Sequence, residues 1–205
     1  EEWYEDSDRV IRVLERLLEI EPEDTWAFDR LKLIFDAKER WDDLFSLYDR
    51  AAASADKERR VELLEEAAQI AKDFANHSQR AIRYFEQLLE LKPNNARLTS
   101  ALERLYERHG CHRELITLRG IRLLTLPHEE AQKERARIAA LWMDELNDAS
   151  SAIIVIEDIV AHQSENVEGG VAVDGGSIDV TPLLERVLAM APKTADIRET
   201  VPPPP

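Results

Sequence analysis

Cysteine is nearly absent from this chain: Cys111 is alone among 205 residues. No intrachain disulfide can form, and a zinc site built on several thiolates is excluded. A reducing compartment fits, and the cytoplasm is the expected location. Glycine is scarce too, at 6 residues, which disfavours a sheet-dominated fold with its many tight turns. No apolar run approaches the ~20 residues that a membrane span needs, so no membrane span is expected. Basic residues are outnumbered, 27 against 42 acidic, for a net charge of −15. Such a surface repels phosphate backbones and anionic headgroups. Nucleic acid and acidic membranes are therefore set aside, and a protein or peptide is the expected partner. The opening Glu1, Glu2 and Trp3 show neither an initiator Met nor a signal-peptide pattern. A processed chain, or one portion of a longer one, is the expectation.

What is present is self-similarity. The segment Asp8 to Pro22 returns as Gln79 to Pro93, an offset of 93 − 22 = 71. Ile11, Leu14, Leu17, Leu18 and Ile20 coincide with Ile82, Phe85, Leu88, Leu89 and Leu91, and Ile153, Ile156, Ile159 and Val160 form a third copy. Spacings of three, four and seven put these residues on one helical face. At the same offset Leu31, Ile34, Phe35, Leu44 and Leu47 return as Leu102, Leu105, Tyr106, Leu115 and Leu118. Likewise Ala68, Ile70 and Asn76 return as Ala139, Leu141 and Asn147. One unit of this length holds four helices, or two helical hairpins, and half of it is close to a ~34-residue period.

The residues that recur have a familiar pattern. Ala67 to Ala71, Ala81, Phe85, Leu88 and Pro93 supply a small residue in a first helix, an Ala opening a second, an aromatic one turn later and a closing Pro. Phe28, Leu31, Phe35, Trp41, Leu44, Tyr48 and Ala51 supply a ladder of large residues, and Leu102, Tyr106, Gly110 and Leu115 a sparser copy. In this the chain resembles the tetratricopeptide repeat family over roughly residues 7–165, with degenerate repeats: Lys32 and Glu103 stand where the family has a small residue. The resemblance implies an all-α fold, a right-handed superhelix of antiparallel helix pairs. It also implies a scaffolding role rather than catalysis.

Helices are expected near 7–20, 25–37, 41–54, 57–74, 79–91, 95–109, 112–124, 128–146 and 150–162, with Pro22 and Pro93 as stops. The array is assigned to 1–165. Four of the six glycines then fall within Asn166 to Ser177, and each opposes helix by ~1 kcal/mol. Residues 166–180 are thus read as a Gly-rich loop, or a small hairpin about Asp174, Gly175 and Gly176. No Lys-Ser/Thr follows these glycines, so they are not a phosphate-cradling loop. Thr181 and Pro182 open a further helix or capping repeat at 181–196. The Pro-rich tail, 197–205, is read as an extended end.

Catalytic chemistry finds little support. His109 and His112 flank Gly110 and Cys111, a turn pattern without a carboxylate partner. His128, Glu129 and Glu130 lack the second His of a metalloprotease helix. Paired acids such as Asp42 and Asp43 are what a solvated acidic face looks like. The chain is read as a non-enzyme that needs no cofactor and no metal. Trp41 and Trp142 fall at packing positions and are expected in the core.

The family resemblance places the first helix of each pair on an inner, partner-facing surface. Carried over, it selects Trp26, Asp29, Leu33 and Asp36, then Glu65, Gln69 and Lys72. Next come Arg97, Ser100, Arg104 and Arg108, and last Arg137, Leu141 and Asp144. Trp26, Asp29, Leu33, Arg97, Ser100, Arg104, Arg108 and Arg137 are the chief candidates. The arginines form a basic row at spacings of three and four, suited to bidentate capture of carboxylates. Pairing with Glu103 and Glu107 on the same helix is the plainer alternative. Two further readings stand beside a scaffold: a regulatory or architectural module of a larger, enzymatic protein, and self-association through terminal repeats. The latter follows because the first helix has no pair mate and leaves an apolar face.

Overall fold

A computed structural model describes the backbone of residues 2–74, 77–168 and 179–190, and the side chains of 8–74, 77–162 and 179–190. The described residues are all helical apart from turns. The helices are α1 (Glu2–Ile20), α2 (Thr25–Ala37), α3 (Trp41–Ser54), α4 (Lys57–Asp73), α5 (Ser78–Leu91), α6 (Ala96–His109), α7 (His112–Leu123), α8 (His128–Asp144), α9 (Ala149–Glu168) and α10 (Thr181–Met190). The chain forms two compact units that divide between His109 and Gly110. Within each, helices pack chiefly on their neighbours in sequence, because short connections turn each helix back on its predecessor.

Capping residues recur with the repeat. The Asp24 carboxylate accepts from the N–H of Ala27 at 2.7 Å and so starts α2. At the same register, Asn95 accepts from the N–H groups of Arg97 and Leu98 at 3.0 and 3.2 Å before α6. Each satisfies donors that the first helical turn leaves without an internal acceptor. The turns that follow also match. Glu39 has φ 53° and Gly110 has φ 68°, the left-handed conformation that ends many helices and that glycine adopts at least cost.

In the first unit Leu31, Phe35, Leu44, Phe45, Leu64 and Leu88 are all fully buried. Phe28 meets Tyr48 edge-on at 5.3 Å, the arrangement that aromatic quadrupoles favour. Ala67, Ala68 and Ala71 of α4 and Ala81 of α5 are also buried, and their small size brings α4 and α5 into the most extensive helix contact of the chain. Lys32 reaches across from α2 to α4. It lies half-buried, and its Nζ reaches Glu66 at 2.7 Å.

The second unit is built around Ala139, Met143, Ala152, Ile156 and Val187, so α10 packs against α8 and α9. Its α9 runs to Glu168, beyond the expected end near 162. Trp142 borders this core and is half-buried, as Trp41 is in the first unit, so neither tryptophan is fully enclosed. The glycine-rich stretch from 169 to 178 and the proline tail lie outside the described residues.

Candidate functional site

Helix α2 presents Trp26, Asp29, Leu33 and Asp36 to solvent, and α6 presents Arg97, Arg104 and Arg108, with Ser100 half-buried beside them. Residues seven apart nearly superpose down a helix axis. Trp26 and Leu33 therefore form one strip, and Arg97, Arg104 and Arg108 another. The repeat puts both strips at the same register: Trp26 matches Arg97, Asp29 matches Ser100, and Leu33 matches Arg104. Trp26 is 65% exposed and Leu33 57%, high for large apolar side chains on a face that the neighbouring α1 and α3 do not cover. The partner-facing positions of α2 and α6 are thus alike in geometry and different in chemistry, one apolar and one cationic.

Among the described residues no ion pair joins Arg97, Arg104 or Arg108 to a carboxylate, whereas cations on neighbouring helices are engaged. On α4, between these strips in sequence, Glu65 pairs with Lys92 at 3.0 Å and Lys72 with Asp73 at 3.3 Å. Gln69 donates to Asp73, so that helix offers a largely neutralised surface. Ion pairs this exposed add little stability.

Beneath the α2 face lies the Tyr48 hydroxyl. Burial, with the carboxylates of Glu66 and Asp29 near it, pushes its ionisation far above the ordinary value. Tyr84 is shifted the same way by burial and by its hydrogen bond to Asp49 at 2.8 Å. Both are neutral at any physiological pH.

Between α3, α4 and α5 a hollow of about 250 Å³ is lined by Asp49, Arg60, Arg83, Tyr84 and Gln87 among others. Sequence reasoning did not find it, because these residues lie on three helices with no shared spacing. It falls below the ~300–1,000 Å³ of small-molecule sites, and two of its lining residues, Tyr84 and Asp49, are already bonded to each other.

In the second unit Arg137 is exposed, but its guanidinium is bound to Glu134 at 2.8 Å, and Leu141 beside it is half-buried. Glu134 is itself buried and also faces Arg119 at 3.3 Å. The structure thus gives Arg137 a local partner that the α6 arginines lack among the described residues. His112 lies 3.4 Å from Glu145. Among the described residues no three His, Cys, Asp or Glu side chains gather as a metal site requires, and no helix is long and apolar enough to cross a membrane.

No family model and no curated protein matches this chain. Among solved structures it is similar to the crystal structure of BtubC (BKLC) from P. vanneervenii. The identity is 13% over 90% of this chain and 80% of that one, with a TM-score of 0.35. So slight a likeness defines neither fold nor function.

Proposed function

We propose that the chain is a non-enzymatic protein-binding scaffold of the tetratricopeptide type, cytoplasmic, with the hairpins of each unit wound in a right-handed superhelical sense. The observation that carries this reading is the row Arg97, Arg104 and Arg108. These are exposed guanidiniums on one face of α6, in a chain of net charge −15, without carboxylate partners among the described residues. A peptide carrying carboxylates would satisfy them by charge-assisted, bidentate hydrogen bonds. The Trp26–Leu33 strip supplies the apolar anchor that interfaces concentrate in aromatic residues. The preferred ligand is therefore a segment with an apolar residue and two or more carboxylates.

Selection of random displayed peptides on the full chain tests this. Enriched sequences should combine an aromatic or leucine with acidic residues, and Arg104→Glu together with Arg108→Glu should abolish their binding. Retention of the same peptides by the double variant would remove the arginine row from the docking surface.

A further inference from the structure

The repeat allows α1 to be compared residue by residue with α5, and one face differs. On both helices the face toward the following helix is closed: Ile11 and Leu14 on α1, Ile82 and Phe85 on α5, are all buried. The other face of α5 is closed as well, with Ala81, Tyr84 and Leu88 at 0%, 3% and 0% exposure. Its counterparts on α1 are open. Val10 is 44% exposed and Val13 68%, and Leu17 is half-buried. On α5 this second face is closed by the hairpin of α3 and α4.

The polar contacts of α5 show what the closing hairpin provides. Arg80 bonds Asp42 at 3.0 Å and approaches Asp49 at 3.6 Å, both on α3, and its guanidinium lies 5.2 Å from the Phe45 ring centroid. The Tyr84 hydroxyl donates to Asp49. Helix α4, with its buried Ala67, Ala68 and Ala71, also packs on α5. Arg9 occupies on α1 the register of Arg80 on α5. With Arg12 and Arg16 it rims a shallow groove floored by Val13, Leu17 and Ile20, and neither Arg9 nor Arg12 has an ion-pair partner among the described residues.

We propose that the Arg9–Val10–Val13–Leu17 face of α1 docks an acidic helical hairpin with the chemistry of α3 and α4. One helix brings carboxylates seven residues apart to Arg9, and the other lays an alanine stripe over Val10, Val13 and Leu17. Charge selects this occupant over a second copy of the chain. Two α1 faces apposed would bring together the Arg9 and Arg12 guanidiniums of both copies, with Glu19 already committed to its own Arg16, and like charges so placed repel. An acidic hairpin meets the same rim with attraction. The end face of α1 is separate from the α2 and α6 strips, so the inference does not rest on the peptide-binding reading.

The probe is a fluorescein-labelled synthetic peptide with the sequence of residues 41–73, titrated with the full chain by fluorescence anisotropy. The wild-type chain should bind it saturably. Val13→Glu, at an exposed position that leaves the fold intact, should weaken binding by about tenfold or more. Arg9→Glu should weaken it too, and Asp42→Lys with Asp49→Lys in the peptide should restore that loss. Arg104→Glu with Arg108→Glu should leave binding unchanged. In a second arm residues 41–77 are fused ahead of Ser7, the register in which they precede Ser78. The fusion should raise the thermal midpoint by roughly 5 °C, and Val13→Glu should cancel the gain. Equal peptide affinity in wild type and Val13→Glu, or a fusion that leaves the midpoint unchanged, overturns the proposal. So does a concentration-dependent dimer, seen by light scattering, that Val13→Glu dissolves without altering peptide affinity, since the face then belongs to a second copy.

Discussion

Leu17 and Leu88 occupy the same place in the repeat and different surroundings, so truncating each in turn measures the uncovered face of α1 directly. Leu88 is fully buried. Leu88→Ala removes its buried methyl groups and leaves a cavity between packed helices, at a cost of about 3 kcal/mol. Leu17 is half-buried and borders the open groove of α1. Its truncation gives up less buried area and leaves no enclosed void, so the loss is about 1 kcal/mol. The difference of about 2 kcal/mol corresponds to roughly 10 °C in the midpoint of a unit this size. The two units need not unfold together, so the assay requires a local reporter. Trp3, Trp26 and Trp41 all lie in the first unit, and in a Trp142→Phe background tryptophan fluorescence during urea unfolding follows that unit alone. Equal losses from Leu17→Ala and Leu88→Ala would show that the α1 face is covered and would refute the reasoning.

Other expectations follow from single contacts. Asp24→Ala removes the cap of α2 and should cost about 1 kcal/mol in urea unfolding, with Asp24→Asn close to neutral. Arg119→Met leaves the buried Glu134 with only the exposed Arg137, and should destabilise the second unit by about 3 kcal/mol in a thermal melt. Asp148 accepts from the N–H and hydroxyl of Ser151, and these bonds hold its carboxyl below the ordinary value of 3.8. A depressed folded-state pKa contributes stability that is present above 3.8 and lost as pH falls through the lower folded value. The second unit should therefore lose stability on acidification below about pH 4, and Asp148→Asn should flatten that part of a pH-dependent melting curve.

Much of the fold was legible because one stride organises it. The expected helices at 25–37 and 41–54 coincide with α2 and α3, where apolar periodicity and the turn residues agree. Helix ends were harder to read. Helix α1 begins at Glu2 rather than near 7, and α9 continues to Glu168, because a mostly polar run such as Gln163 to Glu168 extends a helix without an apolar periodicity to announce it. Apolar spacing also hid the polar interior of the second unit. Gln132 and Glu134 are buried at the registers where the first unit has Val61 and Leu63. The charge of Glu134 is met by Arg137 three residues on, as helical spacing allows, and by Arg119 of α7, a pairing no local spacing rule foretells. Of the candidate surface, exposure of Trp26, Leu33 and the α6 arginines follows from helical phase. That those arginines find no carboxylate partner among the described residues is a side-chain matter that charge counting left open, since Glu103 and Glu107 were in reach by spacing.

The most direct measurement of the scaffold claim compares what co-purifies from native extract with the wild-type chain and with the Arg104→Glu, Arg108→Glu double variant, quantified by mass spectrometry. The variant should remain folded, as both residues are exposed, and should lose the principal acidic-segment partners that the wild type retains. An identical set of partners at identical yield would contradict the assignment of α6 as the docking face.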